Sequence, residues 1–234
     1  MITVQPIRFT ARPSAWHRLA KVLGLVPAFP PQPEWSEFDG DGILAIHHAG
    51  AGSADAGRTA VHLLSDDLDN VEFTLVTAGF EVERTVPEDI GPLLTVTAST
   101  GQTITVSGGA RRVAGAALAM LPLWYADDLT EPRAILEAIG LRPRIASDAG
   151  TWIDFTADGG GLVALHHGTG GRVELSLEYR GDLDTLAERL TAAGFDASVT
   201  DEAYNRTLRS ITPDGDELWI NQVMDDLYGY TRIG

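Results

Sequence analysis

The sequence predicts an α+β fold made of four β-α-β-β-β units in two similar halves, and three observations predict it. The first is a self-similar pair of stretches: WSEFDGDGILAIHHAG at Trp35 to Gly50 returns as WIDFTADGGGLVALHHG at Trp152 to Gly168. The offset is 117 residues at the tryptophans and 119 at His47 and His166, half the length of the 234-residue chain, and repetition at a fixed period marks a duplicated architecture. The second is a set of independent anchors. Gly24 and Gly140 share the setting Leu/Ile-Gly-Leu at an offset of 116, and Ala78-Gly79-Phe80 and Ala193-Gly194-Phe195 match at 115. The third is local: each of these glycines follows a stretch with helical spacing and precedes runs with strand alternation.

The elements follow in order. Ile2 to Thr10 alternates as a strand, and Pro13 opens a helix that ends at Gly24, proline at the first turn and glycine past the last being the expected start and stop. After a Pro-rich loop, two strands meet at Asp39-Gly40-Asp41-Gly42, a hairpin signal. The second unit begins with the strand from Thr59. Its helix starts after Asp66-Asp67, where acidic side chains suit the positive end of the helix dipole, and three strands follow to Ser107. Gly108 to Ala119 reads either as a flexible linker or as a short helix. The third unit runs from the strand at Leu121–Tyr125 through a helix to Ala138 and the two strands of the repeat. The fourth has a strand at Val173–Tyr179, a helix entered at Asp182 and three further strands to Asn221. The expected boundaries are therefore 1–108 and 121–224 for the halves, 109–120 for the segment between them, and 225–234 for a tail whose tyrosines pack back on the body.

Composition excludes several functions. Net charge is −16 with a single lysine, Lys21, so a phosphate backbone finds no basic surface and no nucleic-acid partner is expected. There is no cysteine, hence no thiolate chemistry. No apolar run reaches the ~18 residues of a membrane span, and the amino-terminal stretch lacks a signal-peptide core, so a cytoplasmic protein is expected. The Gly159–Gly161 and Gly168–Gly171 clusters lack the strand, spacing and helix of a phosphate loop, and no nucleophile elbow occurs.

Four such units in two pairs, with "DDLD…AAGF" helices in the even units and "LALHHG" strand ends in the odd ones, resemble the vicinal oxygen chelate superfamily of glyoxalases, bleomycin- and fosfomycin-resistance proteins and extradiol dioxygenases. The resemblance spans residues 3 to 223. It implies two domains, each curling the mixed sheet of two units into a cup whose floor holds a ligand or metal. In metal-dependent members it implies donors on the first strand of a unit (His or Gln) and the last (Glu). The positions that align here are Arg8 or Phe9, Ala45, Ala60 and Thr105 in the first half, and Pro122 to Trp124, Ala164, Glu174 and Trp219 in the second. Only Glu174 is a donor of the expected kind, so no metal and no cofactor are expected.

Strand alternation puts His47 and His166 on the face of Ala45 and Ala164, where each is either a pocket acid, base or hydrogen-bond donor or a cap on its own strand. Trp35 with Glu37, and Trp152 with Asp154, share faces in the same way and form either an aromatic wall with a carboxylate, suited to a planar or cationic ligand, or core packing. Trp124 and Trp219 extend this aromatic set in the second half. The expected ligand-binding residues are thus Trp35, Glu37, His47, Trp124, Trp152, Asp154, His166, Glu174 and Trp219. The expected function is binding of a small aromatic or cationic molecule, as in drug sequestration, by a monomer or homodimer. The alternative is a divalent-metal-dependent lyase, isomerase or dioxygenase, with His47, His62, His166 and Glu174 as candidate donors. The longer glycine turn and Glu174 make the second half the likelier functional one.

Overall fold

A computed structural model of the chain describes all residues except Asp89, Ala203, Tyr204, Asp225 and Asp226. After an edge strand β1 (Ile2–Val4), the first unit comprises β2 (Ile7–Thr10), α1 (Pro13–Leu23), β3 (Val26–Pro27), β4 (Trp35–Gly40) and β5 (Gly42–His48). The second comprises β6 (Thr59–Ser65), α2 (Leu68–Thr77), β7 (Val82–Thr85), β8 (Leu93–Thr97) and β9 (Thr103–Gly108). β10 (Leu118–Met120) leads to the third unit, which is β11 (Leu123–Ala126), α3 (Thr130–Ile139), β12 (Arg142–Ser147), β13 (Trp152–Thr156) and β14 (Leu162–His167). A two-residue β15 (Val173–Glu174) precedes the fourth, which is β16 (Ser176–Tyr179), α4 (Leu183–Ala192), β17 (Ala197–Asp201), β18 (Arg206–Ile211) and β19 (Glu217–Gln222); β20 (Tyr230–Arg232) closes the chain. All four units have the predicted β-α-β-β-β order.

In every unit the first strand pairs in parallel with the last: β2 with β5, β6 with β9, β11 with β14 and β16 with β19. Parallel neighbours need a long crossover, and the helix and intervening hairpin supply it. In the first half β2 also pairs antiparallel with β6, which joins both units in one nine-stranded sheet. In the second half the units form separate six- and five-stranded sheets.

The helices bury one stripe each. Trp16, Leu19, Ala20 and Leu23 of α1, and Pro132, Ile135, Leu136 and Ile139 of α3, repeat at the spacing that places side chains on one helical face. Asp67 caps α2 by accepting from Asn70 N–H, and Asp182 caps α4 by accepting from Asp184 N–H. Across the halves α1 packs on α4 and α2 on α3, so one apolar core runs through all four units.

Two segments differ from expectation. Residues 109–120 are neither a free linker nor a helix: Val113 N–H donates to Gly159 O, and Leu118–Met120 adds a strand beside β16. The strand expected at Val173–Tyr179 breaks at Leu175 into β15, which pairs antiparallel with β11, and β16, which pairs with β19. The described part of the tail adds β20 to the edge of β12 and brings Tyr230 against Trp152.

The hairpin of the repeat ties the halves together. Asp41, buried between β4 and β5, accepts hydrogen bonds from Gly161 N–H, Gly115 N–H and Arg180. Gly161 has φ +87°, and a Cβ there would lie 2.6 Å from Val4 Cβ. Gly161→Ala therefore combines left-handed strain with overpacking and is expected to lower stability by about 1–3 kcal/mol in urea unfolding.

Candidate functional site in the second cup

A cavity of about 670 Å³ is lined mainly by the second half, with Arg8 and Gly57 of the first half also lining it. Its floor is apolar: Leu121 and Leu123 line it, and Ala164 packs in the same cluster. Tyr125, Trp152, His166 and Tyr230 form one wall, and Glu178, Asn221 and Trp219 another, with Arg172 and Glu174 between them. Alternation explains the set. Leu123 and Tyr125 point inward from β11, Glu178 and Asn221 face each other across the β16–β19 pair, and Trp219 stands opposite Ser176.

The polar groups are coupled in two clusters. Tyr125 O–H donates to Glu174 Oε2 at 3.0 Å, Arg172 Nε donates to Glu174 Oε1 at 2.8 Å, and the Arg172 guanidinium lies 3.8 Å from the Tyr125 ring centre. Burial first, then the Glu174 charge, push the Tyr125 phenol up to about 12, so it remains a donor at neutral pH. His166 packs 5.3 Å from the Tyr125 ring with Nδ1 hydrogen-bonded to His167 O, which leaves Nε2 as its free ring nitrogen for the cavity. Glu178, which lines the cavity, is held by Arg144, which does not: Nη1 donates to Oε1 at 2.9 Å and Nη2 to Oε2 at 2.7 Å, and Arg144 also binds Asp154 through Nε at 2.9 Å and through Nη2. Ile145 N–H donates to the other Asp154 oxygen at 3.0 Å. Burial pushes the Asp154 carboxyl above the ordinary carboxylate range, opposed by the hydrogen bonds and charge of Arg144.

Of the residues singled out in the sequence, Trp152, His166, Glu174 and Trp219 line this cavity. Asp154, expected to bind ligand, does not line it: it is fully buried and is taken up by Arg144 and Ile145 N–H. Trp124 does not line it: it is fully buried in the core, because Leu123 and Tyr125 take the inward positions of β11. Glu174 is not the partner of the last strand, as the unbroken strand implied. It sits on β15, and Glu178 takes the place facing Asn221.

Trp35, Glu37 and His47 lie in the first half, away from this cavity. Trp35 Nε1 donates to Glu37 at 3.2 Å, Arg111 from the segment between the halves reaches Glu37 at 2.9 Å and Asp39 at 2.6 Å, and the exposed His47 stacks near Phe9 and Trp35. His62 is buried, with Nδ1 2.7 Å from Thr105 Oγ1 and Nε2 3.0 Å from Ser107 Oγ. The four candidate donors of the alternative reading are therefore not gathered at one point.

Burial pushes the His62 imidazole from 6.5 down to about 4. A histidine held neutral in the fold takes up its proton more readily when unfolded. Its contribution is thus complete above pH 6.5 and is lost as pH falls from 6.5 towards 4. The loss amounts to about 3 kcal/mol, and His62→Gln is expected to flatten that stretch of a stability-against-pH curve.

Parallel first and last strands in four repeated units, with a cavity inside one pair, define the vicinal oxygen chelate fold. No family model matches the sequence, and no curated protein matches it. Solved structures match over nearly the whole chain. A 2,3-dioxygenase, LapB, from Pseudomonas sp. KL28 is 16% identical with a TM-score of 0.66, covering 97% of this chain and 92% of its own. A catechol 2,3-dioxygenase is 14% identical at a TM-score of 0.64 (95% and 92%). A Mn(II)-bound glyoxalase from Novosphingobium aromaticivorans is 16% identical at 0.64 (95% and 81%).

These neighbours overturn one expectation. The sequence led to no cofactor, whereas the structures of the same fold include a Mn(II)-bound glyoxalase. The side chains as arranged do not by themselves make a centre for one. Among the described residues no group of three or more His, Asp or Glu is placed to hold an ion, Glu178 is engaged by Arg144, and Glu174 by Tyr125 and Arg172. Among the described residues, too, no helix is long and apolar enough to cross a membrane.

Proposed function

We propose that the second cup is the substrate site of an enzyme of the lyase, isomerase or dioxygenase kind, acting on a small oxygen-bearing aromatic molecule, with a divalent ion as its cofactor. The observation that carries this reading is the near-complete match to a Mn(II)-bound glyoxalase and to 2,3-dioxygenases, together with an open cavity in the half where polar side chains face inward. It replaces the reading of a sequestering protein. The donors among the described residues do not by themselves complete a metal site.

The chain's own residues supply the rest. Trp152, Trp219 and Tyr230 offer aromatic faces to a planar ring. With its proton donated to Glu174, Tyr125 Oη can accept from a ligand hydroxyl, and His166, whose Nδ1 faces the carbonyl of His167, presents Nε2 to one. The apolar floor excludes water beneath the ligand.

Incubation with Mn(II) or Fe(II) in the presence of catechol, followed by gel filtration and elemental analysis, tests the proposal. One equivalent of ion retained per chain, with catechol bound more tightly when the ion is present, is the expected result. Catechol bound equally well without any retained ion would overturn it.

A further inference from the structure

Two aromatic rings that line the second cup already carry a cation. Tyr125 N–H donates to Arg172 O at 2.9 Å, and this alignment brings the Arg172 guanidinium to 3.8 Å from the tyrosine ring centre. Arg209 stands opposite Trp219 in the β18–β19 register, with its guanidinium 4.3 Å from the indole. Side chains directly opposite on paired strands meet in this way. Each arginine is in turn held by carboxylates. Arg172 Nε donates to Glu174 at 2.8 Å, while Arg209 Nη2 donates to Glu202 at 2.9 Å and Nη1 lies 3.9 Å from Glu217. The same holds around the cavity. Among the described residues its charged lining consists of Arg8, Arg172, Glu174, Glu178, Asp216 and Glu217, and each is matched by an opposite charge: Arg8 by Asp214 and Asp216, Glu178 by Arg144, and the rest as given.

From this geometry we infer that the second cup selects an uncharged ring and that the Arg172–Glu174 pair sets that preference. The inference rests on the proposed function, whose substrate class it narrows to molecules without a formal charge. A cationic ligand would have to draw a carboxylate away from its arginine, and it would meet guanidinium groups already on Tyr125 and Trp219. An anionic ligand would have to draw an arginine away from its carboxylate. Either way one charge is left without a partner, and an unmatched charge away from bulk water is costly. An uncharged ring breaks none of these pairs. Arg172 and Glu174 decide the preference because both line the cavity and neither has another charged partner, so removing one leaves the other unmatched there. Arg8 and Asp216 also both line it, but Asp214 shares Arg8. With side chains 52% and 44% exposed, the pair is screened by water, and the discrimination it gives is modest.

Calorimetric titration at neutral pH with hydroxytyrosol, dopamine and dihydrocaffeate tests this. The three probes share a dihydroxyphenyl ring and a short side chain that ends in a hydroxyl, an ammonium or a carboxylate. The wild type is expected to bind hydroxytyrosol about threefold more tightly than either charged probe. Glu174→Gln frees Arg172 and is expected to bring dihydrocaffeate level with hydroxytyrosol or above it. Arg172→Gln frees Glu174 and is expected to do the same for dopamine, and Arg172→Gln/Glu174→Gln to restore the wild-type order. A pair that only braced β15 would, when cut, weaken all three probes alike. Should one single variant fail to fold, the other and the wild-type order still decide. A charged probe bound by the wild type as tightly as hydroxytyrosol, no binding of any probe, or single variants that keep the wild-type order would overturn the inference. The proposed function fails separately. All three probes carry the same ring hydroxyls, so the contribution of any ion in the buffer cancels in their ratios. If the ratios shift as expected while no ion is retained with catechol, the charge preference stands and the metal-dependent reading falls; if ion is retained and the ratios stay fixed, the reverse holds.

Discussion

Arg8→Met is expected to lower stability by about 3–5 kcal/mol in urea unfolding, one of the two largest losses from a single substitution in this chain. Arg8 lies on β2 and is buried, with Nε and Nη2 donating to Asp214 at 2.9 and 2.8 Å, a further contact to Asp216, and its guanidinium over the Trp16 ring. Asp214, in the turn between β18 and β19, also accepts from Thr10 O–H at 2.7 Å and Trp16 Nε1 at 2.8 Å. This turn fastens the fourth unit to the first. Removing the guanidinium leaves a largely buried carboxylate without its counter-charge, and breaking such a pair costs far more than replacing both members. Arg8→Met/Asp214→Asn should therefore recover much of the loss. Burial raises the Asp214 carboxyl, but the bonds from Thr10, Arg8 and Trp16 outweigh it and hold the group below the ordinary range. Its stabilisation is present above that range and is lost as pH falls through the lowered value.

Asp154→Ala is expected to cost a similar ~3–5 kcal/mol, for three reasons acting together. It strands Ile145 N–H, it removes one of the two carboxylates that neutralise Arg144, and it leaves space in a fully buried position. Chemical denaturation of Asp154→Ala beside Asp154→Asn resolves them. Asn keeps the volume and an acceptor, so it should lose less than Ala while still losing the charge. A loss below about 1 kcal/mol for Ala would show that the Arg144 cluster contributes little to the fold.

How much of this was legible in the sequence depended on whether a feature repeats. Gly24 and Gly140 both end helices in the left-handed conformation, and Trp35/Trp152 and His47/His166 pair across β4–β5 and β13–β14 in the same register. The duplication therefore fixed the order of strands and helices and placed Trp152 and His166 beside the cavity. Of the features present in one half, Trp219 and Glu174 were named as cavity residues, but others were not legible. The break at Leu175 displaced Glu174 onto β15 and put Glu178 opposite Asn221, and no composition signal marks a break within an apolar alternating run. Tyr125 took the inward position assigned to Trp124, a one-residue shift of the kind that reverses every face of a strand. Arg144 was missed because a bulge in Arg-Pro-Arg reads as an exposed edge. The Arg8–Asp214 pair joins residues 206 apart and has no local signature.

The central claim, that the second cup is the working site, is tested most directly by the indole N–H signals of the tryptophans in a nitrogen-correlated spectrum. With catechol present, addition of one equivalent of paramagnetic Mn(II) should broaden the signals of Trp152 and Trp219, which line that cavity, while Trp35 in the first half stays sharp. Broadening of Trp35 ahead of Trp152 and Trp219 would contradict the account.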